Sequence, residues 1–252
     1  CTAECHALHS EFLCFVDVRD RRLGGNGKAR LENKIRTYYF YDMPPSSAAH
    51  LLTRTSHRQK AAPDVPFLEM LTLQSARMHE MCGAARRTLA VYVAGQCREL
   101  VLWIRPGWEV GRLNPEGMLN YADPSRFLFA KPKRAEDVLW TAEEALRSGA
   151  ISLVVADIPS LPSLTAVRRL HLAAEAGAEA GEGAPLGLLL TPGRGGAPGV
   201  ESRWFFRGDH VTDGEGRWHL ERLRARTAPE ARWQVSRDGD RMVLGPSREA
   251  VR

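Results

Sequence analysis

From about residue 75 the chain alternates short apolar runs with stretches whose apolar residues recur every three or four positions. Met78 to Cys82 reads as a short strand. Ala84 to Gln96 carries Leu89, Tyr92 and Val93, with Cys97 next in the series, at the spacing of one helical face. Leu100 to Ile104 is an apolar run of strand length, stopped by Arg105-Pro106-Gly107. Arg126 to Ala130 predicts another short strand. Val138, Leu139, Ala142, Ala145 and Leu146 predict a helix over Ala135 to Arg147, with Gly149 as its C-cap. Ile151 to Asp157 is apolar throughout and ends in a carboxylate. Ser163 is placed to cap a helix carrying Leu164, Val167 and His171, ended by Gly177. Gly181 to Pro185 reads as a loop, and Leu186 to Leu190 as a buried strand.

Strands apolar on both faces and separated by helices predict an α/β fold, a parallel sheet with helices on both faces. The last third changes character. Arg203 to Arg207, Arg217 to Leu223, Arg232 to Ser236 and Met242 to Leu244 are short strand candidates. Turns such as Asp213-Gly214 and Asp238-Gly239 separate them, so they predict C-terminal antiparallel strands closing one edge. Pro192 to Gly199 reads as a mobile Gly/Pro loop. The expected organisation is an N-terminal extension over 1–65, one α/β domain over 66–237 and a polar tail over 238–252.

Composition narrows the class without naming a function. Hydrophobic residues make up 44% and charged residues 26% of 252 positions, which excludes collagen, coiled coil and disorder throughout. No run of about 18 apolar residues exists, so no membrane span is expected. The net charge of +5 permits a nucleic-acid partner without requiring one. An odd cysteine count (Cys1, Cys5, Cys14, Cys82 and Cys97) without a secretory apolar region points to a reducing, cytoplasmic setting. Cys1, Cys5, His6, His9 and Cys14 cluster, but their spacing fits no familiar zinc site, and no metal is expected. Residues 1–42 differ from the rest, and Met43 is followed by Pro44-Pro45-Ser46-Ser47, a plain flexible start. The expectation is that residues 1–42 are a translated leader and that Met43 is the true start. Gly24 to Lys28 does not make a phosphate loop, because the first glycine of that motif would fall on Arg22.

Two places carry candidate chemistry. A strand, a Gly-led turn and a helix follow one another from Met78 to Leu89, the arrangement in which helix-start N–H groups cradle phosphate. The segment Gly83-Ala84-Ala85-Arg86-Arg87-Thr88 keeps an opening glycine and a threonine. It lacks the second glycine, the lysine and about two residues of the working loop. Arg86 or Arg87 could meet an anion but does not replace the lysine. Asp157, at the end of an apolar strand, stands where nucleoside triphosphatases hold Mg²⁺. Gly83, Arg86, Arg87, Thr88 and Asp157 are therefore read as a vestigial nucleotide site, empty and without a cofactor. An ordinary strand–turn–helix joint, with Asp157 a polar strand end, is the plainer alternative.

Taken in order, the segments resemble the RecA superfamily core: Arg77 to Gly83, then Leu102 to Pro106, then Arg147-Ser148-Gly149-Ala150 with Leu153 to Ile158. More closely the chain resembles the ImuA family, RecA-like accessory proteins of inducible mutagenesis. The matching stretches are His79 to Gly83, Val101 to Pro106, Asp137 to Trp140 through to Arg147-Ser148-Gly149-Ala150, Thr165 to Leu170, Ala173 to Gly177, Ser202 to Trp204 and Trp218 to Glu221. They span about residues 66 to 237. The resemblance implies a degenerate RecA-like domain in SOS-induced error-prone translesion synthesis. It implies partners too: an ImuB-like homologue of Y-family polymerases, an error-prone DnaE-type polymerase, and RecA as a further candidate, with DNA reached indirectly and no membrane. The sequence departs from RecA at the truncated loop, and at Arg105-Pro106-Gly107, where RecA-like enzymes place the glutamate that orients water. Glu109 is near that position but displaced.

Three functions follow for testing. The favoured one is a non-enzymatic interaction protein. A RecA-family ATPase would need Gly-Lys-Thr where this chain has Arg86-Arg87-Thr88. A SulA-type cell-division inhibitor would share the degenerate core. Arg203, Arg207, Arg217, Arg222, Arg224, Arg226 and Arg232 interleave with Trp204, Trp218 and Trp233, a pattern used for DNA. Acidic neighbours dilute it, and tryptophans packed in the core beneath solvated arginines are the favoured reading.

Overall fold

A computed structural model describes residues 64–181, 183–209, 216–239, 241–245 and 248–249, all within the second of two units of the chain, His57–Arg252. The leader, the Met43 start, the N-terminal Cys/His cluster and Gly24 to Lys28 lie outside the described residues.

The first described element is a hairpin, β1 (Val65–Leu68) and β2 (Leu71–Leu73), which the sequence reading did not resolve. The core follows in chain order: β3 (Met78–Cys82), α1 (Arg86–Gln96), β4 (Val101–Ile104), a short helix α2 (Pro115–Met118), β5 (Phe127–Ala130), α3 (Ala135–Ser148), β6 (Leu153–Asp157), α4 (Leu164–Ala180) and β7 (Leu186–Thr191). Then come β8 (Ser202–Gly208), β9 (Arg217–Ala225), β10 (Ala231–Asp238), β11 (Arg241–Leu244) and β12 (Arg248–Glu249). Among the described residues the main sheet runs β11-β10-β9-β8-β3-β7-β6-β4-β5, with β12 also on β10. The strands from β8 to β5 are parallel, and β9 to β12 extend the sheet antiparallel. The expected α/β architecture, a parallel sheet covered on both faces plus C-terminal antiparallel strands, is what the chain forms.

Strand periodicity sorts the core. Met81, Trp103, Val155 and Leu188 point to the face covered by α1 and the β1–β2 hairpin, while Met78, Ile104, Val154 and Leu189 point to α3 and α4. The antiparallel extension continues the α1 face, with Trp204, Phe206, Leu220, Trp233, Val235 and Met242 buried there. Trp204 lies edge-on to Phe67 at 5.0 Å between centroids. Trp204 and Trp233 are thus core residues, and Trp218 is half-buried against the same cluster. Arg222 lies over two of them, 5.6 Å from the Trp204 ring and 5.2 Å from the Trp233 ring.

Two boundaries move. The α4 helix does not stop at Gly177 but runs to Ala180 and is capped by Gly181. Gly177 is there for contact: a Cβ would run into the Leu146 carbonyl of α3. Gly149 does take the expected left-handed cap, at φ 64°. The segment expected as a tail from residue 238 contains β11 and β12, both paired to β10, and Met242 is 2% exposed. The strand expected over Met242 to Leu244 is β11, but so short a run does not tell a strand of the domain from one in a polar tail. No described helix is long and apolar enough to cross a membrane.

Candidate functional site

The outgoing connections of β4 and β6 leave toward opposite faces of the sheet. The segment after β4 leads to Met118 on the α1 side, and α4 follows β6 on the other. In open parallel sheets the crevice beyond the strand ends at such a divergence is where ligands bind. Asp157, Arg87, Glu109 and Arg105 converge there.

Asp157 ends β6 and is 1% exposed. Arg87, in the first turn of α1, donates from Nε to Asp157 Oδ2 at 2.5 Å and from its amino group to Glu109 Oε1 at 2.7 Å. Arg86 stands 3.7 Å from the other Asp157 oxygen, and its buried Nε has no hydrogen-bond partner. Burial pushes the Asp157 carboxyl above its ordinary range, and the Arg87 guanidinium pulls it back. Arg87 is itself held above its usual value: its two carboxylates outweigh the cost of partial burial. Arg105, 6% exposed, donates to the carbonyls of Glu109 and Gly111, each at 2.6 Å. That curls the segment after β4 so that Glu109 faces Arg87. Glu109, displaced along the sequence, therefore joins the site through the loop's fold.

The phosphate-loop counterpart is closed on itself. Gly83, at φ 94°, follows β3 directly, and a Cβ there would run into the Phe206 carbonyl. Its N–H donates to Gly193 at 2.9 Å, Ala85 N–H to Phe206 at 3.1 Å, and Arg86 N–H to Gly83 at 3.3 Å. The amides that a phosphate loop aims at its anion are thus used within the chain. Thr88 sits half-buried one residue past Arg87. The structure brings Gly83, Arg86, Arg87 and Asp157 to one end of the sheet, with the basic pair turned onto the acid.

Beside this clamp is a second buried charge that the sequence reading did not single out. Glu80, in the middle of β3 and fully buried, receives Arg203 Nε, Thr191 Oγ1 at 2.6 Å, and the N–H groups of Gly196 and Ala197 at 2.8 Å and 3.0 Å. The Gly/Pro loop after β7 is therefore fastened to the sheet by a carboxylate, where composition alone predicts mobility. A lone acid within an apolar strand was the available signal. Cys82 and Cys97 are free and buried; burial pushes their thiols up to about 12 and about 11. Neither is a thiolate nucleophile at neutral pH. Among the described residues no group of three or more His, Cys, Asp or Glu is placed to hold a metal ion.

No protein-family model and no curated protein matches the chain. The crystal structure of SulA from Pseudomonas aeruginosa is similar to 46% of this chain over 98% of its own, at 21% identity and a TM-score of 0.37, too loose to carry an argument about either fold or function.

Proposed function

We propose that this protein is a non-catalytic interaction module whose α/β core keeps the frame of a nucleotide-binding site without the means to use one. The supporting observation is the Arg87 guanidinium, bonded to both Asp157 and Glu109. A phosphoryl-transfer site needs its acid free for Mg²⁺ and its loop amides free for phosphate. Here the acid is neutralised by a side chain of the same chain, and the amides serve the fold. The vestigial site over Gly83, Arg86, Arg87, Thr88 and Asp157 is on this reading a structural joint.

The biological setting rests on the resemblance to the ImuA family: an accessory role in SOS-induced, error-prone translesion synthesis, joining an ImuB-like protein and a DnaE-type polymerase. Co-purification from DNA-damaged cells, with the bound proteins identified, tests it. Recovery of the polymerases supports the assignment. Recovery of the division protein FtsZ in their place points to a SulA-type inhibitor and overturns it.

A further inference from the structure

Strand β5 ends the sheet. It pairs with β4 on one side, and no described strand pairs with its other side. The carbonyls of Ala130 and Pro132 accept from Arg105 and Gly107, at 3.1 Å and 2.8 Å. In a parallel pair, alternate residues direct their backbone groups to opposite sides, so those of Phe129 and Lys131 and the carbonyl of Phe127 face outward, while the Phe127 N–H is bonded to the Pro124 carbonyl. The flanks of this free edge are apolar. Leu128 on the α3–α4 face and Phe129 on the α1 face are 45% and 50% exposed.

On the α1 face, Phe129 borders a cavity of about 140 Å³. Arg87, Arg105, Arg112 and Lys131 line it around Trp103, and no acidic side chain does. Arg87 is matched by its two carboxylates. One amino group of Arg105 is bonded to two carbonyls, which do not offset its charge. Arg112 and Lys131 are exposed, and Lys133 extends the basic run beyond the strand. The cavity thus carries excess positive charge at the end of an unpaired, apolar-flanked edge.

We propose that β5 is the docking strand for an acidic, extended peptide segment of a partner protein, which adds to the sheet edge and sets a carboxylate in the Arg112–Lys131 cavity. The inference rests on reading the chain as an interaction module and names its surface. Charge complementarity selects the acid, and the outward N–H and C=O groups select a strand. Drug-sized ligands occupy sites of roughly 300–1,000 Å³, so the cavity suits a side chain and not a nucleotide. A nucleic-acid backbone offers no strand to pair with the edge. Lysines beside an edge ordinarily discourage indiscriminate pairing. Half-exposed Leu128 and Phe129 do the opposite, so here the charges choose the partner.

The test is fluorescence anisotropy of the whole chain with a short labelled peptide alternating valine and glutamate. That alternation puts every carboxylate on the cavity side and every valine on the Leu128 side. Binding is expected that weakens with salt. About tenfold loss is expected for the valine–glutamine peptide and for Arg112→Glu with Lys131→Glu. Phe129→Pro removes one outward N–H at an edge, where proline is tolerated. It should weaken binding similarly while thermal unfolding stays near wild type. If Phe129→Pro loses the fold, Leu128→Glu carries the same test by setting a charge against the peptide's valines. Equal binding of the glutamine peptide, or undiminished binding by the folded edge variant, overturns the proposal. So does binding of inorganic phosphate at the cavity with none of the peptide. The non-catalytic reading fails separately, by ATP turnover.

Discussion

Asp157 is 1% exposed, so removing its partner leaves a carboxylate facing protein. Arg87→Ala should cost about 2 kcal/mol in urea unfolding, less than a fully buried pair because Arg86 stays near and Arg87 is partly solvated. Replacing both partners, Arg87→Met with Asp157→Leu, should recover part of that, since the buried carboxylate goes with its arginine while the partly exposed Glu109 and Arg86 lose a partner each. Glu80→Gln should cost more, about 3 kcal/mol, because it strands Arg203 and weakens the bonds to Gly196 and Ala197. The loop it fastens carries Arg194, whose side chain is 59% exposed. Trypsin should therefore cut the variant at Arg194 faster than wild type, even at a temperature where both are folded. His79 gives a pH signature. Buried between Ser202 Oγ and the Gln74 carbonyl, it is lowered to about 4 by loss of hydration. The unfolded chain then binds the extra proton, so stability is full above about pH 6.5 and falls as pH drops toward 4, by roughly 3 kcal/mol at most. His171, also lowered by burial, acts in the same direction. Urea midpoints at pH 7.5, 5.5 and 4.5 should fall in that order, and His79→Gln should flatten the trend.

Helices α3 and α4 pack where Gly177 lets the Leu146 carbonyl approach, and their polar faces are tied by Arg169 to Glu143 at 2.7 Å. The glycine looks like a helix stop in sequence because a cap and a close crossing call for the same residue. Most elements were legible because their apolar period was long or unbroken, as in α3 and β6. The β1–β2 hairpin was not: its positive φ at Glu69 has no glycine to announce it, and strands of four and three residues are too short to show a period. β11 was legible as the strand candidate Met242 to Leu244, but not as part of the domain, where Met242 is buried and accepts a hydrogen bond through its carbonyl from Tyr92 at 3.5 Å. Removing residues 238–252 is accordingly expected to destabilise the domain itself. Met242→Ala alone should cost about 2–3 kcal/mol by leaving a cavity under β10. Circular dichroism melts of both variants check this, and a truncated chain melting like wild type would restore the view of a dispensable tail.

Parallel order places the ends of β3, β4 and β6 within one crevice, which is why Gly83, Arg87, Glu109 and Asp157 meet although they span 83 to 157. Sequence identified the glycine, the basic pair and the terminal acid, since their residue types fit a known site. It did not show that the arginine would turn inward onto the acid, because that depends on where the α1 face meets β6. Nor could it place Glu109, which reaches Arg87 only through the curl held by Arg105. The closure has a consequence for the whole chain. A ligand that binds only the folded state stabilises it by RT ln(1 + [L]/Kd), about 2.7 kcal/mol at a hundredfold excess over Kd. For a domain of this size that is several degrees, at roughly 2–4 °C per kcal/mol. Millimolar Mg-ATP should produce no such shift, because phosphate would have to displace three internal amide bonds and the Arg87 clamp together. Arg87→Lys should not restore binding either, since Gly83, Ala85 and Arg86 N–H would remain committed to Gly193, Phe206 and Gly83. Thermal shift with and without Mg-ATP, on wild type and Arg87→Lys, is the measurement. A rise of several degrees in the wild type would mean that the loop opens for nucleotide, and the reading of this site as a structural joint would then fail.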